Sequence, residues 1–156
     1  MHTTANQSSV VHSTFSIERT YPVPPSRVFS AFANQETKRR WFAEGEGWEV
    51  EEFTSDFRVG GREFSRYRFE GGAPIRNETV YQDIVLDRRI VFAYSMAVGD
   101  QRISVSLATV EITPSGEGTR LVYTEQGAFF DGVGEPEGRE AGIRELLEKL
   151  GEELRK

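Results

Sequence analysis

The C-terminal segment carries the pattern that most limits how this chain can fold. Its apolar residues recur at spacings i, i+3, i+4, i+7 and i+11, which places them on one stripe of a helix from about residue 137 to residue 154. The members of the stripe are Ile143, Leu146, Leu147, Leu150 and Leu154. The other helices that the sequence predicts are too short to cover this stripe, so a β-sheet has to cover it.

The rest of the chain is predicted to be mainly strands joined by short turns. Apolar alternation and turn residues indicate seven strands, at residues 13–21, 48–57, 62–69, 77–86, 90–98, 102–112 and 119–126. Because the connections after residue 48 are short, neighbouring strands are expected to pair as antiparallel hairpins. Pro22, Pro24 and Pro25 end the first strand and favour a helix that begins near residue 24. Asn34 is a plausible break before a second short helix at residues 35–42.

This order predicts an α+β fold. A seven-stranded curved antiparallel sheet wraps on the long C-terminal helix, and two short helices lie between strands 1 and 2. A strongly curved sheet cannot contact one straight helix across its whole width, so a cavity is expected between them. The chain of 156 residues is expected to form a single domain over residues 13–156, after a disordered tail at residues 1–12.

Composition argues against several classes of function. The chain has no cysteine and only two histidines, His2 and His12, so we expect no disulfide, no metal site and no Ser-His-Asp triad. The net charge of −6 is unfavourable for nucleic-acid binding. No apolar run reaches the about 20 residues of a membrane span, and the N-terminus lacks the apolar core of a signal peptide. We therefore predict a cytoplasmic protein with no cofactor and no membrane insertion.

Four segments, taken in order, resemble one known family. They are residues 23–32 followed by Trp41-Phe42, residues 56–62 with Asp56 before a Gly-Gly turn, residues 118–127, and residues 140–154. Together they resemble the activator of heat-shock-protein-90 ATPase homologue-like family, within the START-like superfamily (also called SRPBCC, birch-pollen-allergen-like or polyketide cyclase). The resemblance implies the helix-grip fold and a cavity for lipid-like or polyketide-like molecules.

The closing helix departs from the family at one place. The family usually has Gly-Trp near the start of this helix, whereas this chain has Gly142-Ile143. The resemblance implies that a ring which edges the cavity is missing, and this predicts a larger pocket.

Ten residues are candidates for the wall of a ligand-binding cavity: Trp41, Trp48, Tyr67, Tyr81, Phe92, Tyr94, Phe129, Phe130, Ile143 and Leu147. Inward tyrosines in an otherwise apolar wall are typical of small-molecule sites. Ordinary core packing is the alternative interpretation of each ring. Two adjacent phenylalanines in a glycine-rich segment, Phe129 and Phe130, favour a lid over the cavity or, alternatively, a simple hydrophobic plug. The basic run at residues 38–40 is interpreted as a solvated helix face.

Three functions compete at this point. The first is the binding of a small hydrophobic or aromatic ligand in the cavity. The second is a cofactor-independent cyclase or hydrolase, in which Asp83, Glu125 or Tyr81 transfers the proton because no histidine is expected in the core. The third is a chaperone-interacting protein, as the family name implies. The sequence has no recognisable catalytic motif, and it leaves open whether the chain is a homodimer.

Overall fold

A computed structural model of the protein describes residues 9–156. In this part of the chain seven strands and three helices follow one another along the sequence. They are β1 (Val10–Tyr21), α1 (Pro25–Ala33), α2 (Gln35–Phe42), β2 (Trp48–Ser55), β3 (Arg62–Phe69), β4 (Ile75–Val85), β5 (Arg89–Val98), β6 (Gln101–Ser115), β7 (Gly118–Phe130) and α3 (Pro136–Leu154).

The strands form one antiparallel sheet in the order β1-β7-β6-β5-β4-β3-β2. Strands β2 to β7 are a meander, as their short connections predict, and β1 closes the far edge by pairing with β7. Helix α3 lies across the concave face of this sheet, and α1 and α2 cover one end of it. The predicted α+β helix-grip fold is therefore confirmed. None of the helices within residues 9–156 is long and apolar enough to cross a membrane.

The leucine stripe of α3 forms the main contact between helix and sheet. Ile143, Leu147, Leu150 and Leu154 are buried in one core with apolar side chains of β1, α1, β6 and β7. The Tyr21 hydroxyl donates a hydrogen bond of 2.8 Å to the Leu147 carbonyl, which ties β1 to the middle of the helix. Leu146 lies only partly in this core, because it is turned toward the cavity described below.

Asn34 joins the two short helices. It follows α1, and its side chain then caps α2 by accepting a hydrogen bond of 2.9 Å from the Thr37 backbone N–H. Proline opens α1 at a position where no backbone N–H is needed. The Trp41 indole donates to the Ala31 carbonyl at 2.9 Å, and its ring meets Phe32 edge-on with centroids 5.0 Å apart. These contacts hold α2 at a set angle over the end of the sheet.

Several predicted strand boundaries differ from the structure, and those of β1 and β7 have a clear physical reason. Strand β1 begins at Val10, so residues 10–12 of the predicted tail form a strand, while residues 1–8 lie outside the described part of the chain. Strand β7 continues to Phe130 because β1 pairs with it as far as Val10↔Phe130. Gly127 is accommodated within the strand, where an added Cβ would lie 2.9 Å from the Phe129 ring and 3.0 Å from the Ser106 hydroxyl. Long-range pairing thus overrides the low strand propensity of glycine.

The concave face is more polar than the strand pattern suggests. In β6, Ser104 and Ser106 are buried on this face, whereas Val105 and Leu107 point outward and are 44% and 38% exposed. In β3, the buried inward residues include Glu63 and Ser65. Polar side chains on the inner face of a sheet require partners there, and those partners form the site described next.

Candidate functional site

A cavity of about 420 Å³ lies between the concave face of the sheet and α3. Helices α1 and α2 close it at one end. Most of its wall is apolar, and the large apolar side chains that line it are Phe32, Trp41, Phe42, Trp48, Ile75, Phe92, Met96, Ile103, Ile143, Leu146 and Leu147. The cavity that curvature predicts between sheet and helix is therefore present.

Seven of the ten predicted wall residues line this cavity: Trp41, Trp48, Tyr67, Phe92, Tyr94, Ile143 and Leu147. They come from α2, β2, β3, β5 and α3, so no short stretch of sequence contains the site. The Trp48 ring packs against Tyr67 with centroids 5.4 Å apart and extends the aromatic wall toward the edge of the sheet. Ile143 occupies the wall where the family resemblance implies a tryptophan.

The other three predicted residues do not line the cavity. Tyr81 is buried behind it, with its ring against Phe57 at a centroid distance of 4.9 Å. Phe129 and Phe130 are the last residues of β7 and pair with β1, so the predicted lid is wrong. Their glycine-rich surroundings indicated a loop, but pairing with a distant strand holds them in the sheet.

An ion pair between α2 and β3 forms part of the cavity wall. The Lys38 ammonium donates to the two Glu63 carboxylate oxygens at 2.8 and 3.0 Å, and the Tyr81 hydroxyl donates to Glu63 at 2.6 Å. Lys38 and Glu63 are each only 4% exposed. The prediction that Lys38 belongs to a solvated face is therefore wrong. Lys38, Trp41 and Phe42 stand at i, i+3 and i+4, and this spacing was the signal that Lys38 faces inward.

The surroundings of Lys38 keep it charged. Burial by itself lowers the pKa of the Lys38 ammonium, but the neighbouring Glu63 carboxylate and the Tyr81 hydroxyl raise this pKa by more, so the net change is upward. The ammonium also lies over the Phe42 ring, 5.0 Å from its centroid. Lys38 is thus a fixed cation and is poorly suited to act as a base or a nucleophile at neutral pH.

A second buried ion pair joins α3 to β7. The Arg139 guanidinium donates to Glu125 at 3.1 Å, to the Tyr94 hydroxyl at 2.9 Å and to the Ser104 hydroxyl at 2.7 Å. Glu125 is 1% exposed and also accepts hydrogen bonds from Tyr94 at 2.8 Å and from Tyr123 at 2.6 Å. Arg139 was not among the predicted site residues. In the sequence it is one of several charged residues in the first turns of α3, and nothing distinguishes it from an exposed one.

The tyrosines of this cluster are held in the protonated state. Burial raises the pKa of Tyr94 and of Tyr123 well above the ordinary value, and the nearby Glu125 carboxylate raises both further. Both hydroxyls therefore act as hydrogen-bond donors to Glu125 at any physiological pH. The cluster serves to fix the start of α3 on the sheet.

The three residues predicted as proton donors or acceptors for an enzyme do not face the cavity. Asp83 lies on the outside and pairs with Arg89 at 2.7 Å, with both side chains more than 40% exposed. Glu125 and Tyr81 lie behind the wall and are engaged in the two clusters. Within residues 9–156 the structure contains no group of three or more histidine, cysteine, aspartate or glutamate side chains that could hold a metal ion.

A neutral polar pair lies between the two clusters. The Asn77 side-chain amide donates to the Tyr67 hydroxyl at 2.8 Å, and both residues line the cavity. The Asn77 amide oxygen is buried without a hydrogen-bond partner among the described residues. Burial raises the pKa of Tyr67, so its hydroxyl keeps a proton to donate.

One flank of α3 forms the rim of the cavity. Glu135, Gly138, Gly142 and Glu145 both line the cavity and are exposed to solvent, and their spacing places them along one side of the helix. Lys149 continues this row, and its ammonium donates to the Glu44 carbonyl. The two rim glycines leave the opening wide, because an added Cβ at either position would meet no atom within 4 Å.

Comparison with known proteins identifies one family whose sequence model matches most of this chain. The family model described as Activator of Hsp90 ATPase homolog 1-like protein matches residues 22–155. The Mll3558 protein from Rhizobium loti has 61% sequence identity and a TM-score of 0.87, with 93% of this chain and 99% of that chain covered. A protein from Rhizobium leguminosarum has 37% identity and a TM-score of 0.92, with 96% and 99% covered.

A more distant structure shares the fold alone. A protein from Chromobacterium violaceum has 22% identity and a TM-score of 0.76, with 92% of this chain and 97% of that chain covered. No curated protein matches the sequence of this chain.

Proposed function

Because the chain belongs to the Activator of Hsp90 ATPase homolog 1-like family, we propose that it binds a small, mainly apolar molecule in the cavity between the sheet and α3. The observation that carries this proposal is the cavity itself. Its volume of about 420 Å³ lies in the range of small-molecule sites, roughly 300–1,000 Å³. Its wall combines aromatic and aliphatic side chains with a few fixed polar groups, which is the usual composition of such sites.

The disposition of the acidic residues favours binding over catalysis. A general base needs an oxygen or nitrogen that faces the substrate and is free to take a proton. Of the three buried carboxylates, Glu125 lies behind the wall, Glu63 is engaged by Lys38 and Tyr81, and Glu153 is outside the wall and pairs with Arg40. A cavity whose buried carboxylates are already hydrogen-bonded, and whose wall is mainly apolar, supports the storage, transport or sensing of a ligand.

Native mass spectrometry of the freshly purified protein tests this proposal. We expect a fraction of the protein to carry an additional small-molecule mass that is lost after extraction with organic solvent. The extracted protein should then bind Nile red, an uncharged apolar dye, with a saturable rise in fluorescence. It should also unfold at a higher temperature in the presence of the dye, by an amount that grows with the logarithm of dye concentration. If the protein has neither a bound mass nor affinity for Nile red, the proposal is wrong.

A pair of variants on α3 locates the binding site. Gly142 lines the cavity and has open space around its Cα, so Gly142→Phe directs a ring into the opening. Ala141 is the neighbouring exposed residue outside the cavity wall, so Ala141→Phe is the matched control. We expect Gly142→Phe to weaken Nile red binding by about tenfold or more, and the control to bind as the parent does. Equal binding by the two variants would place the dye elsewhere.

A further inference from the structure

We propose that the cavity takes an uncharged ligand with one hydrogen-bonding oxygen, such as a phenol or an alcohol, and discriminates against carboxylates. This inference rests on the proposed function and specifies the chemical class of its ligand. It follows from three features of the described residues. The buried charges of the wall cancel, the unsatisfied polar groups are neutral, and the rim is acidic.

The buried cations of the wall are already neutralised. Lys38 is paired with Glu63 at 2.8 Å, and Arg139 is paired with Glu125 at 3.1 Å. Each pair is almost fully buried. A ligand carboxylate that enters this space loses its hydration and finds no unpaired cation in the deep wall that residues 9–156 form, which is strongly unfavourable.

The two terminal nitrogens of the Arg139 guanidinium are also engaged. One terminal nitrogen donates to Tyr94 and Glu125, and the other donates to the Ser104 hydroxyl at 2.7 Å and contacts the Met96 sulfur at 3.2 Å. A ligand anion can bind these terminal nitrogens only by displacing partners that are themselves buried. Such displacement leaves Glu125 with a buried, uncompensated charge, so the arginine does not act as a carboxylate receptor.

The polar groups that remain available are neutral. The Tyr67 hydroxyl accepts from Asn77 at 2.8 Å, and no acceptor for its own proton is present among residues 9–156. The amide oxygen of Asn77 has no hydrogen-bond donor in the same part of the chain either, but it is buried with almost no accessible surface. The Tyr67 hydroxyl therefore offers its proton to a neutral oxygen of the ligand, such as that of a hydroxyl group. A ligand bound this way keeps its apolar body against the aromatic wall near Trp48.

The rim adds a repulsion for anions. Glu135 and Glu145 are exposed at the opening, whereas the ammonium of Lys149 is held by the Glu44 carbonyl. The whole chain carries a net charge of −6. Approach of an anionic ligand is therefore disfavoured before it reaches the cavity.

Three probes with one skeleton test the inference on the parent protein at neutral pH: biphenyl, 4-phenylphenol and biphenyl-4-carboxylate. Binding is followed by the fluorescence of Trp41 and Trp48, the two tryptophans of the chain, which both line the cavity. We expect 4-phenylphenol to bind about tenfold or more tightly than the carboxylate. We expect Tyr67→Phe to weaken 4-phenylphenol binding about fivefold and to leave biphenyl binding unchanged.

Tyr21→Phe is the control for the loss of a buried tyrosine hydroxyl, because the Tyr21 hydroxyl bonds the Leu147 carbonyl and Tyr21 is outside the cavity wall. It should change the affinity of neither probe. Carboxylate binding equal to or tighter than phenol binding overturns the inference, while biphenyl binding still supports a ligand cavity. An unchanged phenol affinity in Tyr67→Phe overturns the role assigned to Tyr67. Failure of all three probes and of Nile red overturns the proposed function, and the inference with it.

Discussion

At the scale of single residues, the two buried ion pairs position the helices around the cavity. Lys38 of α2 meets Glu63 of β3, and Arg139 of α3 meets Glu125 of β7. A buried pair contributes little net stability, because the desolvation of two charges offsets most of their attraction. We expect such a pair to favour one arrangement of its elements, since a packing that separates its members inside the core leaves a charge buried alone. The pairs therefore set the shape of the cavity more than the stability of the fold.

Removal of one partner of such a pair should be far more harmful than removal of both. We expect Lys38→Met to lower the free energy of unfolding by about 3–5 kcal/mol, because Glu63 then remains buried without its cation. The double variant Lys38→Met with Glu63→Gln should lose less than either single variant. Urea unfolding of the four proteins, followed by circular dichroism, measures this coupling. If the double variant lost as much stability as the two single variants together, the energetic coupling between Lys38 and Glu63 would be contradicted.

At the scale of elements, the junction between α1 and α2 shows how one side chain orients a helix. Asn34 lies in extended conformation between the two helices, with φ −84° and ψ 120°. It accepts from the Thr37 backbone N–H at 2.9 Å and from the Thr37 hydroxyl at 3.1 Å. Because α2 has only 8 residues, it has little stability of its own and depends on this cap and on tertiary contacts.

Loss of this cap should be measurable in the stability of the whole domain. We expect Asn34→Ala to lower the free energy of unfolding by about 1 kcal/mol, within the range of roughly 0.5–2 kcal/mol for N-cap replacements. Asn34→Asp keeps the accepting oxygen and should stay close to the parent protein. The measurement is chemical denaturation of the three proteins under one set of conditions. A loss of the same size in Asn34→Asp would show that the amide group, and not the accepting oxygen, is what matters.

At the scale of the whole molecule, all five tyrosines are held against ionisation. Burial is the largest cause in each case, and it raises the pKa of Tyr21, Tyr67, Tyr81, Tyr94 and Tyr123 above the ordinary value near 10. In the unfolded chain these groups lose their protons at about pH 10. The stability that the folded protein gains from keeping these tyrosines protonated is therefore unchanged up to that pH. It decreases as the pH rises further.

The sum of these shifts predicts a steep alkaline loss of stability. The free energy of unfolding should be flat to about pH 10 and then fall, with each tyrosine that stays protonated contributing a slope of about 1.4 kcal/mol per pH unit. Lys38 acts in the same direction, since its pKa is also raised. The chain has only three lysines, so few other groups titrate in this interval.

Urea titrations of the parent protein and of Tyr123→Phe between pH 9 and about pH 11 test the predicted alkaline fall in the free energy of unfolding. The variant should be less stable at every pH, because Glu125 loses a donor. Its alkaline slope should also be smaller by about 1.4 kcal/mol per pH unit, which a purely structural loss would not produce. An unchanged slope would show that the Tyr123 hydroxyl ionises as readily in the folded protein as in the unfolded one.

Local sequence signals were sufficient for the elements whose causes are local. The second short helix is at residues 35–42 as predicted, because proline positions and the Asn34 cap act within a few residues. The leucine stripe predicted α3 to within one residue at its start and to its last residue. Seven of the ten predicted wall residues line the cavity, because the apolar stripe of α3 and the aromatic residues of α2 and the strands face the interior that sheet and helices enclose.

Only the tertiary structure decided which polar residues face inward and where the sheet ends. Glu63 and Lys38 are 25 positions apart and Glu125 and Arg139 are 14 apart, so neither pair is recognisable until the chain brings its members together. Phe129 and Phe130 belong to a strand because β1, more than a hundred residues earlier in the chain, supplies their hydrogen-bonding partners. The sequence by itself determined the order of elements and hence a curved sheet over one helix. The charges and hydrogen bonds that define the cavity depend on distances between remote segments, and these are set by folding alone.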